Sequence, residues 1–420
     1  MDAAYATDRT GDPGSGLDSP IVLRSSRDLL AAVPYLLGFR PRECVVVVAV
    51  TAEGRIGLVA RTALGGDGAG GGDVRVVGRA SGRVGAGLAV VVLYTAAPPA
   101  AARGRATAVL EALDESLDPA VDVEVWTVGP ETYRGLDCPD PACCPPGGRP
   151  VRELEHGEVG AAFVVAGRAI APSEEDAHRI SRPSVAARDR AAKAAVRAER
   201  ARVASRAEHV RSPAARPGTS VRPAPDAGDG PARWRAAGYG VWRDLVRQAA
   251  REQRDGPGGA VELPPARLGR LAAALADVAV RDAVLLSLVP GAGDVADRTA
   301  GVGARDAGED VEAATARAIA RVVDPRCGVR PDGPTAAAAR VVLEQLVGAA
   351  PRRWHAPPLA LLGFLAWWQG DGWLAARRVR EAIDRDPGYR LAALLAGVLQ
   401  AAVPPGWVDA RRPSGVAGVG

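Results

Sequence analysis

The sequence predicts an α/β N-terminal domain, in which a mixed sheet is layered with helices, followed by an all-α C-terminal domain. Before residue 170, short runs of β-branched residues alternate with helical segments, which is typical of a sheet covered by helices. After residue 232, apolar residues recur at the three- and four-residue spacing of helices. Of the eight tryptophans, Trp126 alone lies before residue 230, so the helical part holds most of the large side chains.

Composition divides the chain further. The predicted segments are a disordered leader (1–18), the α/β domain (19–170), a charged helical connector (171–210), a Pro/Gly-rich linker (211–231), the helical domain (232–403) and a tail (404–420). The linker prediction rests on the stretch RSPAARPGTSVRPAPDAGD, whose proline, glycine and serine content favours an open chain. The connector is expected to be a long solvated helix because arginine and glutamate alternate along it.

The first domain begins with a helix that Ser25 or Ser26 can cap and that Pro34 should interrupt. Residues 44–50 form a continuous apolar run, which is expected of a strand buried on both faces. The other predicted elements of this domain are a strand at 55–62, a weak helix near 73–83, a strand at 88–95, a helix at 99–117 and a strand at 121–128.

A glycine-rich loop at 64–72 contains a G-x-G-x-x-G pattern between a strand and the weak helix. Glycines so placed let a backbone approach a pyrophosphate at a helix N-terminus. The strand that follows ends Leu93-Tyr94-Thr95-Ala96, however, without an acidic residue to hold a ribose hydroxyl, and the sequence has no Walker-type phosphate loop. We therefore predict no dinucleotide cofactor.

Three cysteines form the most distinctive local feature of the chain. Cys138, Cys143 and Cys144 lie within seven residues, among several prolines and glycines. Three thiolates could be zinc ligands, with His156 as the fourth. Against this, adjacent Cys143 and Cys144 should not easily point at one ion, and the sequence has no second C-x-x-C knuckle.

Two alternatives for the three cysteines stay open. One is a redox or nucleophilic thiol whose pKa is lowered by Arg149 or Arg152. The other is a rigid turn in which the cysteines pack as small apolar residues. No H-E-x-x-H or G-x-S-x-G pattern occurs, so no catalytic residue can be named.

The stretch 357–400 has the clearest helical periodicity and predicts three helices, separated at Gly370-Asp371-Gly372 and at Asp386-Pro387-Gly388. It is similar to one tetratricopeptide unit, which cannot bury its own apolar faces and must dock on other helices. Candidate residues for binding a protein partner are Trp367, Trp368, Trp373 and Tyr389. Further helices are predicted at 234–246, 268–278, 282–289, 309–323 and 335–347.

Four segments together resemble a known family. They are the opening LRSSRDLLAAVPYLLGFRPRECVVVVAV, the turn CPDPACCPPGGRP, the segment AAFVVAGRAIAPS, and the run DPGYRLAALL near the C-terminus. The chain resembles the actinobacterial DUF4192 family over nearly its whole length, with poorer agreement in the glycine-rich loop and between 185 and 231. That resemblance implies a shared fold and a host group. It implies no activity and no catalytic residues.

Charge and composition narrow the functional classes. The net charge of +4 is too small to indicate nucleic-acid binding by itself, and the arginine-rich run at 182–211 lacks interleaved aromatic residues. No run is long and apolar enough to span a membrane, and the N-terminus lacks signal-peptide features, so we expect a cytoplasmic protein. The leading hypothesis is a non-enzymatic protein-interaction or regulatory module. The alternatives are a thiol- or metal-dependent enzyme centred on residues 138–144, and weak nucleic-acid binding through the connector.

Overall fold

A computed structural model describes residues 5–6, 21–64, 75, 77–82, 85–166, 168–211, 230–255, 261–302, 310–401 and 403–409. The chain divides into two compact units, Met1–Arg179 with Val398–Val403 and Ile180–Gly397 with Pro404–Gly420. The glycine-rich loop with its G-x-G-x-x-G pattern lies outside the described residues, as does most of the predicted leader and linker.

The first unit contains a mixed sheet, as predicted. Its strands are β3 (Cys44–Thr51), β4 (Ile56–Ala63), β5 (Ala86–Tyr94), β6 (Asp122–Val128), β7 (Thr132–Gly135) and β8 (Arg149–Pro150), which follow a two-stranded pair formed by β1 (Tyr5–Ala6) and β2 (Val22–Leu23). The spatial order of the sheet is β4-β3-β5-β6-β7-β8. Only β5 and β6 run parallel, and a helix connects them because parallel strands need a crossover.

Strand β3, which lies between β4 and β5, is buried on both faces, as the sequence predicted. Val46 and Val48 belong to one apolar cluster, and Val45 and Val47 belong to a second cluster that does not overlap with the first. Successive side chains of a strand point to opposite faces, so an uninterrupted apolar run is what two covered faces require. Helix α1 (Ser26–Leu37) contributes to the first cluster and helix α2 (Pro99–Asp114) to the second.

Helix α1 differs from the sequence prediction at Pro34, which lies inside the helix and does not interrupt it. The helix ends less than two turns later, at Gly38, whose left-handed backbone (φ 80°) suits a glycine C-cap. The Gly38 N–H donates to the carbonyl of Pro34 at 2.8 Å and completes the last turn. Ser25 is the N-cap, and its side chain accepts from the Asp28 N–H.

Three short helices follow the sheet in the first unit: α3 (Arg152–Glu155), α4 (Glu158–Val165) and α5 (Glu174–His178). Helix α4 packs on α1, where Phe163 stacks on Tyr35 with ring centroids 4.9 Å apart and planes 8° from parallel. Helix α1 belongs to the same apolar cluster as residues of β3, β5, β6 and β7.

From residue 180 onward the described residues are helical and include no strand, as the all-α prediction required. The helices are α6 (Val185–Arg211), α7 (Gly230–Asp255), α8 (Pro265–Ala274), α9 (Val278–Ser287), α10 (Val295–Thr299), α11 (Val311–Val323), α12 (Gly333–Ala349), α13 (Ala356–Trp368), α14 (Gly372–Arg385), α15 (Arg390–Gln400) and α16 (Gly406–Asp409). None of the described helices combines the length and the apolar character needed to cross a bilayer.

Helix α6 corrects the expectation of a solvated helix in the charged segment. Its alanines Ala191 and Ala195 are fully buried, and the helix packs closely on α8 within the second unit. On its polar side, Arg202 pairs with Glu199 at 2.7 Å and Arg206 pairs with Asp277 at 3.1 Å. Small residues repeated along one face let two helices approach closely, which a charge-based interpretation overlooks.

The three C-terminal helices pack as the periodicity predicted. Gly363 of α13 lies so close to α14 that an added Cβ would meet Val379 Cγ2 at 2.8 Å. Ala375 and Ala382 of α14 are fully buried. The predicted tail begins with a packed segment, because Trp407 of α16 donates from its indole N–H to the Trp368 carbonyl at 2.7 Å.

Candidate functional site

The three predicted cysteines lie in the turn that joins β7 to β8, which we call the cysteine turn (residues 136–148). A single helical turn opens it, because the Cys144 N–H donates to the Asp140 carbonyl at 2.8 Å. The Asp140 carboxylate also accepts from the Ala142 N–H at 2.9 Å. These local bonds give the segment from Asp140 to Cys144 a helix-like backbone. Cys138 lies just before this segment, at the start of the cysteine turn.

The structure brings the three sulfur atoms together. The Sγ atoms of Cys138, Cys143 and Cys144 all lie within 4.8 Å of one another, and the Cys143 and Cys144 sulfurs are 3.9 Å apart. All three are free thiols. The sequence suggested that adjacent Cys143 and Cys144 would not easily point at one ion, yet their sulfurs lie on the same side of the turn. In helix-like backbone, neighbouring side chains are only about 100° apart around the axis, so their sulfurs can lie on one side.

Cys144 anchors the cluster to the sheet. It is 6% exposed, and its Sγ accepts a hydrogen bond from the backbone N–H of Gly135 at 3.2 Å. Gly135 is the last residue of β7, and a Cβ added there would lie 3.0 Å from Cys138 Cβ and 3.4 Å from Cys144 Sγ. The absence of a side chain at Gly135 thus lets two of the cysteines close over the strand end.

Arg27, in the first turn of α1, contacts the cluster, and sequence reasoning missed it. Its Nη2 lies 3.3 Å from the Cys143 carbonyl oxygen and 3.7 Å from Cys143 Sγ. The sequence suggested Arg149 or Arg152 for this role. Arg149 instead donates to the Ala142 carbonyl at 3.0 Å and pairs with Glu153, so it supports the turn backbone. Because Arg27 and Cys143 are 116 positions apart in the chain, no sequence spacing could reveal the contact.

The two adjacent thiols differ in acidity. For Cys143, burial raises the pKa, but hydrogen bonds with Arg27, Cys144 and Cys138 outweigh burial and leave the pKa below that of an ordinary thiol. For Cys144, burial dominates and raises the pKa to about 11, although the Gly135 N–H acts in the opposite direction. Cys143 is therefore the thiol of this adjacent pair that ionises first.

His156, the predicted fourth ligand, is not part of the group that the cysteines form. It lies exposed at the end of α3, where its Nδ1 is 2.9 Å from the Arg152 carbonyl oxygen. Among the described residues, the three cysteines form the one cluster of His, Cys, Asp or Glu side chains with the spacing of metal ligands.

The predicted partner-binding aromatics have two different environments. Trp367 and Trp368 are buried, and the Trp368 indole N–H donates to the Val329 carbonyl at 3.0 Å. Both rings belong to the packed interior of the second unit, which corrects their assignment as partner contacts. Trp373 and Tyr389 are only partly buried, with arginine guanidinium carbons 5.9 Å from each ring centroid.

The Arg27 contact leads to a test of thiol reactivity. We expect Arg27→Gln to slow alkylation of Cys143 by iodoacetamide several-fold near neutral pH in the reduced, metal-free protein. The reason is that losing the guanidinium raises the Cys143 pKa and lowers the fraction of reactive thiolate. Mass spectrometry of the labelled peptides measures the rate, with the exposed Cys327 as an internal reference. Arg27→Lys keeps the positive charge, so its rate of Cys143 alkylation should lie between those of the wild type and Arg27→Gln. Equal rates in all three proteins would contradict the role given to Arg27.

A comparison with known proteins completes the description. A family model described as a domain of unknown function, DUF4192, matches residues 27–324 and 295–406. The match includes both units and the whole cysteine turn. No curated protein and no solved structure matches the chain.

Proposed function

The chain belongs to the DUF4192 family, whose description assigns no activity. We propose that its cysteine turn binds a soft divalent metal ion such as Zn²⁺. The observation that carries the proposal is the convergence of Cys138, Cys143 and Cys144, whose sulfurs lie within 4.8 Å of one another. Thiolate sulfur is the ligand that zinc prefers in closed protein sites.

The spacing of the sulfurs suits a tetrahedral ion. With zinc–sulfur bonds of about 2.3 Å, two thiolates on a tetrahedral ion are separated by about 3.8 Å. The Cys143 and Cys144 sulfurs are 3.9 Å apart. Because the other sulfur pairs lie within 4.8 Å, they need to close by no more than about 1 Å. Cys138 and Cys143 are only partly buried, so their side chains have room for this adjustment.

The surroundings of the sulfurs also suit thiolates. The Gly135 N–H already donates to Cys144 Sγ, and such bonds orient ligands and stabilise their negative charge. Three thiolates and one divalent cation together carry a single negative charge, and the Arg27 guanidinium lies 3.7 Å from Cys143 Sγ to balance it. The ordinary alternative, three cysteines packed as apolar residues, explains buried Cys144 but gives no reason for Arg27 to face Cys143.

Three protein ligands leave one coordination position for water or an exchangeable ligand. Sites with three protein ligands and one open position are typical of catalytic zinc, whereas structural zinc has four protein ligands. His156 does not supply the fourth ligand in this arrangement. The proposal is therefore a metal site accessible to small ligands. A cytoplasmic location belongs to the same proposal, because thiolate ligands persist in a reducing compartment.

Zinc titration tests the proposal. The reduced, metal-free protein should bind one Zn²⁺ in competition with a chromophoric chelator. Cys143→Ser should weaken zinc binding by about 100-fold or more, because removing a ligand should lower the affinity at least as much as removing an outer-shell partner of a ligand. Cobalt substitution adds a spectroscopic reading. Co²⁺ should show thiolate charge-transfer absorption in the wild type and lose part of it in Cys143→Ser.

Two matched variants control for folding and for nonspecific thiol binding. Cys327→Ser removes an exposed cysteine from the second unit and should leave zinc affinity unchanged. His156→Ala should also leave it unchanged, because His156 lies outside the sulfur cluster. Zinc affinity that is no weaker in Cys143→Ser than in Cys327→Ser would refute the site.

Protein binding by the second unit is a second candidate. Leu394 on α15 is 58% exposed, and Trp373 and Tyr389 are partly exposed, so aromatic and apolar side chains suited to protein contacts are accessible. Native mass spectrometry of the untagged protein purified from its host tests this role. A partner of defined mass and stoichiometry would support it, and a bare polypeptide would count against it.

A further inference from the structure

The cysteine turn also has the arrangement of an oxidisable thiol pair. Cys138 and Cys143 are both partly exposed, whereas Cys144 is buried and hydrogen-bonded to the Gly135 N–H. A small oxidant can therefore reach the first two sulfurs more easily than the third. The remaining cysteines do not compete inside the turn, because Cys44 is buried in β3 and Cys327 lies in the second unit.

Geometry also selects which pair can form a disulfide. Adjacent residues joined by a trans peptide have Cα atoms about 3.8 Å apart, whereas disulfides have Cα atoms about 4.4 to 6.8 Å apart. A bond between Cys143 and Cys144 is therefore strained. Cys138 and Cys143 are separated by four residues, and their sulfurs lie within 4.8 Å of each other.

We infer that Cys138 and Cys143 form a reversible disulfide on reaction with a hydroperoxide, and that this oxidation releases the metal ion from the cysteine turn. The release step deepens the proposed function and rests on it, whereas disulfide formation does not. The turn would then act as a peroxide-sensitive switch of metal binding, since a disulfide removes two of the three ligands at once.

The reaction balances with hydrogen peroxide as the only other reactant. The Cys143 thiolate attacks one peroxide oxygen, the O–O bond breaks, and the departing hydroxide takes a proton to become water. The resulting sulfenic acid on Cys143 is then attacked by the Cys138 sulfur. An S–S bond forms and the S–O bond breaks, with loss of a second water. Two thiols are oxidised and one peroxide is reduced.

The Arg27 guanidinium faces the attacking sulfur in this reaction. Its Nη2 lies 3.7 Å from Cys143 Sγ and 3.3 Å from the carbonyl oxygen of the same residue, so it contacts both the side chain and the backbone of Cys143. Cys138 Sγ, by contrast, has its own contact with the Asp140 carbonyl at 4.0 Å. Cys143 is thus the sulfur that attacks the peroxide, and Cys138 is the sulfur that resolves the sulfenic acid.

Mass spectrometry of the full chain tests the inference. Reduced protein in the Cys327→Ser background is treated with hydrogen peroxide, alone and after loading with Zn²⁺. The Asp140–Pro141 bond lies between Cys138 and Cys143 and is labile in mild acid, so cleavage there separates the two cysteines unless a disulfide joins them. We expect joined fragments with a mass lower by two hydrogens, and separated fragments after dithiothreitol.

Variants identify the pair. Cys144→Ser should keep the joined fragments, whereas Cys138→Ser should lose them and leave Cys143 as sulfenic acid or a more oxidised form. In zinc-loaded protein, one Zn²⁺ should be released for each disulfide formed, as read by a chromophoric chelator. Far-UV circular dichroism of each variant before oxidation confirms that it is folded.

The outcomes separate the two proposals. Zinc binding without a Cys138–Cys143 disulfide would overturn this inference and leave the metal site standing. A disulfide in a protein that never binds zinc would remove the metal site and the release step, while the thiol pair would stand. Separated fragments in which the one carrying Cys143 and Cys144 is lighter by two hydrogens would show that the adjacent pair reacts. Joined fragments that persist in Cys143→Ser and disappear in Cys144→Ser would show that Cys138 pairs with Cys144. Either outcome would overturn the assignment.

Discussion

Replacing Gly269 with alanine should destabilise the second unit by about 3 kcal/mol, among the larger effects of a single methyl group. Gly269 lies in α8 where the helix meets α6, and an added Cβ would lie 1.9 Å from the Ala191 carbonyl oxygen and 2.6 Å from its carbonyl carbon. These are backbone atoms of a helix, so they cannot swing aside. The two helices must separate, and contacts along their whole interface weaken.

Denaturant unfolding followed by tryptophan fluorescence measures this effect. Seven of the eight tryptophans lie beyond residue 230, so the signal reports mainly on the second unit. Gly240→Ala is the matched control, because Gly240 is also helical and an added Cβ there meets nothing within 4 Å. That variant should be unchanged or stabilised by up to about 1 kcal/mol, since alanine favours helix over glycine. Equal midpoints for both variants would show that α6 and α8 are not in close contact.

Removing the Asp277 carboxylate should cost about 2 to 3 kcal/mol, because one buried group serves three helices. Asp277 is 4% exposed, caps α9 through the Ala279 N–H, and accepts from Arg235 of α7 and Arg206 of α6 at 3.0 and 3.1 Å. Asp277→Ala removes the cap and leaves both guanidinium groups without their carboxylate. The arginines are partly exposed, so water offsets some of the loss.

Two variants separate the cap from the charge. Asp277→Asn keeps an oxygen that can cap the helix and should lose less stability than Asp277→Ala. Asp310→Ala removes a cap of the same kind from α11, where the exposed side chain accepts from the Glu312 backbone N–H, and should cost about 1 kcal/mol. The same denaturation experiment measures all three. If Asp277→Ala costs no more than Asp310→Ala, the arginine pairs contribute nothing.

The fold class could be predicted because it depends on patterns that repeat along the chain. The unbroken apolar run in β3 requires covered faces on both sides, and both are covered. The helical periodicity of residues 357–400 predicted helices that pack on one another, and Gly363 lies in close contact with Val379 of the next helix. Helix α1, which continues through Pro34, and helix α6 both differ from the predictions. A proline near a helix end is tolerated when a following C-cap closes the turn, and alanine faces pack even within a highly charged segment.

The candidate site was only half accessible to sequence reasoning. The three cysteines could be named as candidate ligands because they are close together in the chain. The convergence of their sulfurs could not be predicted, because it depends on the helical turn between Asp140 and Cys144 and on the absence of a side chain at Gly135. His156 was proposed because it is near in sequence, yet it lies outside the sulfur cluster.

By itself, then, the sequence determined the order of the α/β and all-α parts, the burial of strand β3, the family resemblance and the identity of the three thiols. Only the tertiary structure decided which cation faces Cys143, which helices Asp277 joins, and why position 269 needs a glycine. These last features arise between residues far apart in the chain, such as Arg27 and Cys143, which are 116 positions apart. Periodicity and spacing describe neighbours along a chain, whereas contacts of this kind form only when the folded backbone brings distant segments together.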